Sequence, residues 1–186
     1  MTSINLTKGH LLVAEPTVIN DNSFNRSVVL IADHNQNGSV GFILNKPLEY
    51  TLGKLIPEVD SDINVFYGGP VEQDNLYFIH KIPDLIPNSI EIAHGIYWGG
   101  DFNMVLKLIK QKLLHKSEIR FFLGYSGWET NQLDQELEIN SWVVVRNRYE
   151  NKLIEKSHDN FWKEKMIELG GDYLIWANAP ENPSLN

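Results

Sequence analysis

The sequence predicts an α+β fold: one domain over residues 1–186, with mixed β-sheets, closure into a barrel-like sheet left open, and about three to four flanking helices. Three observations predict it. Short runs rich in Val, Ile, Phe and Tyr recur along the chain, each bounded by Gly, Pro, Asn or Asp. Helical periodicity interrupts them without a regular βαβ rhythm, which disfavours a doubly wound parallel sheet. The 186 residues are 42% hydrophobic and 11% aromatic, enough for one core and too apolar for disorder.

Taken in order, "HLLVAE" (10–15) reads as a strand ended by Pro16, and "RSVVLIAD" (26–33) as a buried β-branched strand. The Asn37-Gly38 turn signal joins the second run to "SVGFILN" (39–45) as a hairpin. Further strands are predicted at "NVFYGGP" (64–70), "LYFIHK" (76–81), "SIEIA" (89–93), "IRFFLGY" (119–125) and "SWVVVR" (141–146). A helix over 101–114 is N-capped by Asp101 and places Phe102, Val105, Leu106, Ile109 and Leu113 on one face. A second, over 130–139, sets Leu133 and Leu137 a turn apart. A third, over 160–169, carries Phe161, Trp162, Met166 and Leu169 before Gly170-Gly171 stops it. The tail "NAPENPSLN" reads as an extended surface segment.

Composition narrows function. With 24 acids against 16 bases, the net charge of −8 repels nucleic acid and anionic lipid at long range, so direct DNA binding and membrane association are disfavoured. There are no cysteines, which removes disulfides, thiolate nucleophiles and Cys-ligated metals. The N-terminus lacks a signal-peptide pattern and the longest apolar run, "VVLIA" (28–32), is short, so the reading is cytoplasmic. The six histidines form no i, i+4 pair or compact motif, and neither phosphate-loop nor dinucleotide glycine spacing occurs; no metal or cofactor is expected.

Two stretches invite sharper readings. Gly-Tyr-Ser-Gly-Trp (124–128) sits between a predicted strand and helix, where a hydrolase would place a nucleophile elbow. An elbow requires glycine two places after the serine, and that position is Trp128. Ser126-x-x-Glu129 matches a capping box instead, with Thr130 as a second possible cap, so a turn is the leading reading and a serine hydrolase using Ser126 the alternative. Lys107, Lys110, Lys112, His115, Lys116 and Arg120 form the one basic cluster, a modest nucleic-acid footprint whose simpler reading is a solvated helix face.

"GHLLVAEP" (9–16), "FNRSVVLIADHNQNGSVGFILNKP" (24–47), "YGGPV" (67–71) and "LGYSGWETNQLDQEL" (123–137) together resemble the AlgH/YqgE-like family of bacterial proteins, and the ending resembles its Bacteroidetes-type branch. The resemblance implies a compact α+β fold. It implies a role in transcriptional regulation only through the family's name, and most members are uncharacterised. Glu129 and Asn131 stand where the family pattern usually has glycines. If the family shares a binding surface, the resemblance points to Arg26, His34, Asn45, Lys46, Tyr125, Trp128 and Gln132. Each also has an architectural reading: Arg26 pairing with a carboxylate, Asn45-Lys46-Pro47 ending a strand, Trp128 filling core. The expectation is a non-enzymatic binding or regulatory protein that acts on an unknown protein partner or small ligand.

Overall fold

The computed structural model describes residues 4–18 and 21–180. Ten strands form one mixed sheet: β1 (Leu11–Ala14), β2 (Val28–Asn35), β3 (Gly38–Ile43), β4 (Pro47–Thr51), β5 (Asn64–Tyr67), β6 (Val71–His80), β7 (Ile90–Ala93), β8 (Ile96–Trp98), β9 (Ile119–Trp128) and β10 (Trp142–Val145). The main path runs β10-β1-β2-β3-β9-β6-β8-β7, with β4 and β5 branching from β9. The sheet stays open, with β10 and β7 at its ends, so it does not close into a barrel.

β9 is the spine. Antiparallel β6 lies along one side of it; along the other, β5 pairs in parallel from Val65↔Phe121 to Tyr67↔Leu123, and β3 then takes over from Gly41↔Ser126 to Ser39↔Trp128. Gly-Tyr-Ser-Gly-Trp is therefore strand, not the predicted turn.

β1 and the first part of β2 read as unbroken apolar runs because both faces are covered. Along β1 and β2, Leu11, Val13, Val28 and Leu30 face one cluster, and Leu12, Ala14, Val29 and Ile31 face another. The first is capped by a 3-10 segment (Glu150–Glu155) and two helices, α4 (Phe161–Leu169) and α5 (Tyr173–Ala177). The second lies under α3 (Gln132–Glu138) through Leu133. A third cluster packs α1 (Leu52–Leu55) and α2 (Phe102–Lys110) against Val65, Phe78 and Phe121.

Local signals explain the predicted elements. Asn35↔Gly38 closes the predicted β2–β3 hairpin around Gln36-Asn37, with Gly38 the first residue of β3. Asp101 accepts hydrogen bonds from the Asn103 and Met104 amides and caps α2 as predicted. Leu113 departs from expectation: α2 ends at Lys110, and Leu113 is 58% exposed beyond it. Gly170, at φ +69, ends α4. Of the predicted tail, residues 181–186 lie outside the described residues.

His80 is buried with both ring nitrogens engaged. Its Nε2–H donates to Gly99 O at 3.0 Å and its Nδ1 accepts from the Ile82 amide at 3.2 Å, which fixes a neutral tautomer. Burial pushes its pKa below the ordinary 6.5. The unfolded chain then binds the proton first as pH falls, so His80 contributes stability above the ordinary value that is lost as pH drops towards its folded value. His10, also lowered chiefly by burial, acts in the same direction. The Tm is expected to fall between about pH 7 and pH 5, with a shallower fall in His80→Gln; equal slopes in a thermal-melt series would refute the assignment.

Candidate functional site

Ser126 is fully buried, and its hydroxyl donates to Gly68 O at 3.0 Å. It caps nothing. α3 starts six residues later, after Asn131 at φ +61, with no side-chain cap from Asn131; the Glu129 amide donates to Gln132 Oε1 at 2.9 Å. The Ser126–Glu129 capping box is thus corrected. A nucleophile sealed in this position cannot meet a substrate.

Glycines explain why this stretch is strand. Gly68 and Gly69 of "YGGPV" cross Gly124 and Tyr125 of "LGYSGW" backbone on backbone. A Cβ on Gly124 would lie 2.5 Å from Gly69 O, and one on either partner glycine would overlap the opposing chain. Two family motifs meet at this crossing, and what they encode is close approach of main chains.

Asn45, Lys46 and Arg26 hold the loop over residues 21–27. Asn45 accepts from the Val28 amide at 2.8 Å and donates to Arg26 O at 2.9 Å. Lys46 Nζ donates to Ser23 O at 2.7 Å and Asn22 O at 3.2 Å, and burial holds its pKa below the usual lysine value. Among the described residues Arg26 pairs with no carboxylate; its guanidinium donates to Ala179 O and Pro180 O and lies 5.0 Å over the Trp162 ring. The loop's Phe24 stacks on Trp128 and meets Trp142 edge-on.

Trp128 and Gln132 belong to a second constellation. Glu136 Oε2 accepts from the indoles of Trp128 and Trp142, each at 2.8 Å, while Oε1 accepts from Gln132 Nε2 at 3.0 Å. One carboxylate thus ties β9, β10 and α3 together. His34 sits elsewhere, 2.8 Å from Ser39 Oγ, on the wall of a small hollow of about 280 Å³ beside Glu129 and Asp134. Tyr125 points to the opposite face and meets Tyr77 edge-on. The seven predicted residues therefore do not converge on one pocket.

The basic cluster is also divided. Arg120 is 6% exposed and lies in the interior, and Lys110 reaches Glu58 at 3.9 Å.

A broad concavity lies where sequence reasoning named no candidate. A cleft of about 810 Å³ runs along β10, walled by Trp142 and Leu137 on one flank and by Lys165, Leu169 and Tyr173 on the other. The Glu15 amide donates to Ser141 O at 3.0 Å, and Leu11↔Val145 and Val13↔Val143 share that phase of the β1 ladder. By alternation, the main-chain groups of Trp142 and Val144 point away from β1 into the cleft. Tyr173 donates to Glu15 at 2.5 Å and Lys165 pairs with Glu168 at 2.8 Å. Arg146 and Arg148 have no ion-pair partner among the described residues, which leaves the cleft locally basic. The only sequence signal was "WVVVRNR", a valine run with basic neighbours.

An open mixed sheet with helices on both faces, built around glycine-only strand crossings, defines an α+β protein of the kind the motifs suggested. The chain belongs to the AlgH-like family, whose sequence profile matches residues 11–174. The UPF0301 proteins of Bacteroides fragilis and Cytophaga hutchinsonii are similar to it at 42% and 40% identity, each over 97% of this chain and over 91% and 100% of their own lengths. The solution structure of the AlgH protein from Pseudomonas aeruginosa shares the fold at a TM-score of 0.72 and 23% identity, covering 97% of each chain. A crystal structure of protein DIP2367 from Corynebacterium diphtheriae does so at 0.74 and 21%, covering 96% of this chain and 95% of its own. Among the described residues, no helix is long and apolar enough to cross a membrane.

Proposed function

We propose that this chain is a cytoplasmic, non-enzymatic binding protein that takes an extended acidic segment of a partner protein along β10, and that any part in transcriptional regulation runs through that partner. The observation that carries the reading is the edge of β10, unpaired among the described residues, inside a cleft of about 810 Å³. An added strand would find the main-chain groups of Trp142 and Val144, an aromatic wall, and two arginines for its acidic side chains. At four residues, β10 is short enough to limit unspecific edge pairing.

The ladder phase supplies the test. Val144→Pro removes an outward N–H and leaves the β1 bonds intact, as proline on an edge strand permits. Binding of a soluble peptide alternating glutamate with valine and threonine is to be measured by fluorescence anisotropy. Val144→Pro and the Arg146→Glu/Arg148→Glu pair are each expected to weaken it by about tenfold or more, with the Tm retained. Equal affinity in both variants, or no binding to the native chain, would remove the reading.

A further inference from the structure

Arg120 is a charge placed inside the protein on the central strand. Its Nη1 donates to Leu44 O at 3.0 Å, its Nη2 to Lys156 O at 2.5 Å, and the guanidinium lies 4.8 Å over the Phe66 ring. Among the described residues no carboxylate reaches it within ion-pair distance. Burial lowers its pKa to about 10. Two carbonyls and a ring face offset only part of the cost of desolvating a cation, and a guanidinium has five N–H donors.

Arg120 lines a separate cleft of about 500 Å³ between β5, the start of β9 and the approach to α4. Lys116, Ser117, Lys156, Ser157 and His158 share its wall with Phe66, which His158 meets edge-on at 5.4 Å. The acids on the same wall are Asp62, without an ion pair among the described residues, and Glu155, held by Lys81 at 3.3 Å; Asp159 beside the wall lies 3.3 Å from His158 Nε2 and accepts from Ser157 Oγ at 3.5 Å. Lys156 is held by Glu164 at 2.6 Å, which leaves Lys116, exposed and without an ion pair among the described residues, as the available ammonium.

We propose that this cleft binds a small phosphomonoester, its phosphate between Arg120, Lys116 and the two serine hydroxyls and its organic part against Phe66. The donors are a planar fork, an ammonium and hydroxyls, a set suited to the three oxygens of a phosphate. The volume exceeds inorganic phosphate, and Phe66, Ile63 and Ile154 supply an apolar wall for the rest of the ligand. This site shares no residue with the β10 cleft, so each reading can fail without the other.

The test is an amide-resolved NMR titration of the full chain at low ionic strength with phenyl phosphate and inorganic phosphate, using benzyl alcohol as the uncharged control. Phenyl phosphate is expected to give saturable shifts at Ser117, Arg120, Ser157 and His158, inorganic phosphate the same pattern more weakly, and benzyl alcohol none. Lys116→Glu, at an exposed position, should weaken phenyl phosphate about tenfold with the Tm unchanged. Arg120→Met should abolish the shifts if it folds; if it does not, Lys116→Glu decides. No saturable shift, shifts centred on other residues, or shifts unaltered by Lys116→Glu would each overturn the proposal.

Discussion

Gly124→Ala is expected to destabilise the protein by more than ~4 kcal/mol, enough to unfold most of a chain with ordinary stability. Two costs combine. Gly124 sits at φ +70, where a Cβ is strained, and that Cβ would stand 2.5 Å from Gly69 O and 2.8 Å from Val71 O. Both obstructing atoms are main chain in a buried sheet, so no side chain can rotate away. Gly127→Ala, three residues along the same motif, is the internal control. It lacks a positive φ, and its nearest neighbour is the Tyr125 ring at 3.1 Å, which can shift by a few tenths of an ångström. It should cost under ~1 kcal/mol. Urea unfolding of the two variants settles the matter; similar losses would show that the crossing is not what these glycines serve.

Removing the Glu136 carboxylate has the second largest expected effect. Glu136→Ala leaves the indole N–H groups of Trp128 and Trp142, both 5% exposed, without an acceptor, at about 1–3 kcal/mol for each buried donor. A total near ~3 kcal/mol is expected, because partial solvent access at the half-buried carboxylate offsets some of the loss. Glu136→Gln keeps an oxygen for the indoles and should cost about 1 kcal/mol, since the neutral acceptor is weaker. Near-UV circular dichroism and tryptophan emission read this corner directly. Glu136→Ala should change both, and an unchanged aromatic signal would mean that the carboxylate does not hold the indoles.

Elements with a local cause were legible in the sequence. The β2–β3 hairpin follows from Asn37-Gly38, α2 from Asp101, and the end of α4 from Gly170, because each signal and its effect lie within a few residues. Three features were not. The first part of β6, Glu72–Asn75, is exposed and bulges opposite the single residue Gly124, so its polar sequence carries no strand pattern. The second is a pair of weak strands: β4 begins at a proline and is largely exposed, and β8 has three residues. The third is Gly-Tyr-Ser-Gly-Trp, where the glycines read as a turn although Gly124 answers the Gly68-Gly69 segment between β5 and β6, whose backbone arrives from over fifty residues earlier.

The candidate site shows the same division. Arg26, Asn45, Lys46, Trp128 and Gln132 were singled out as motif residues, and their hydrogen bonds hold loops and corners. Neither cleft could be read locally. The β10 edge exists because, among the described residues, no strand follows it in the sheet, and the Arg120 cleft assembles residues from 62 to 158. Arg120 was grouped with Lys112 and Lys116 by nearness in sequence; the two lysines are exposed, whereas its place on β9 turns Arg120 inward.

The place of β9 in the chain bears on synthesis. A polypeptide grows from its N-terminus at roughly 5–20 residues per second, and domains fold as their parts become available. Here the strand that joins β3, β5 and β6 spans 119–128, so these three strands are made well before the segment that unites them. Until it clears the ribosome, the nascent chain carries unpaired β edges and uncovered Phe42, Phe66 and Phe78, surfaces that attract other chains. Slowing translation before residue 119 should therefore lengthen the time spent bound to chaperones, whereas slowing it after residue 128 should matter less.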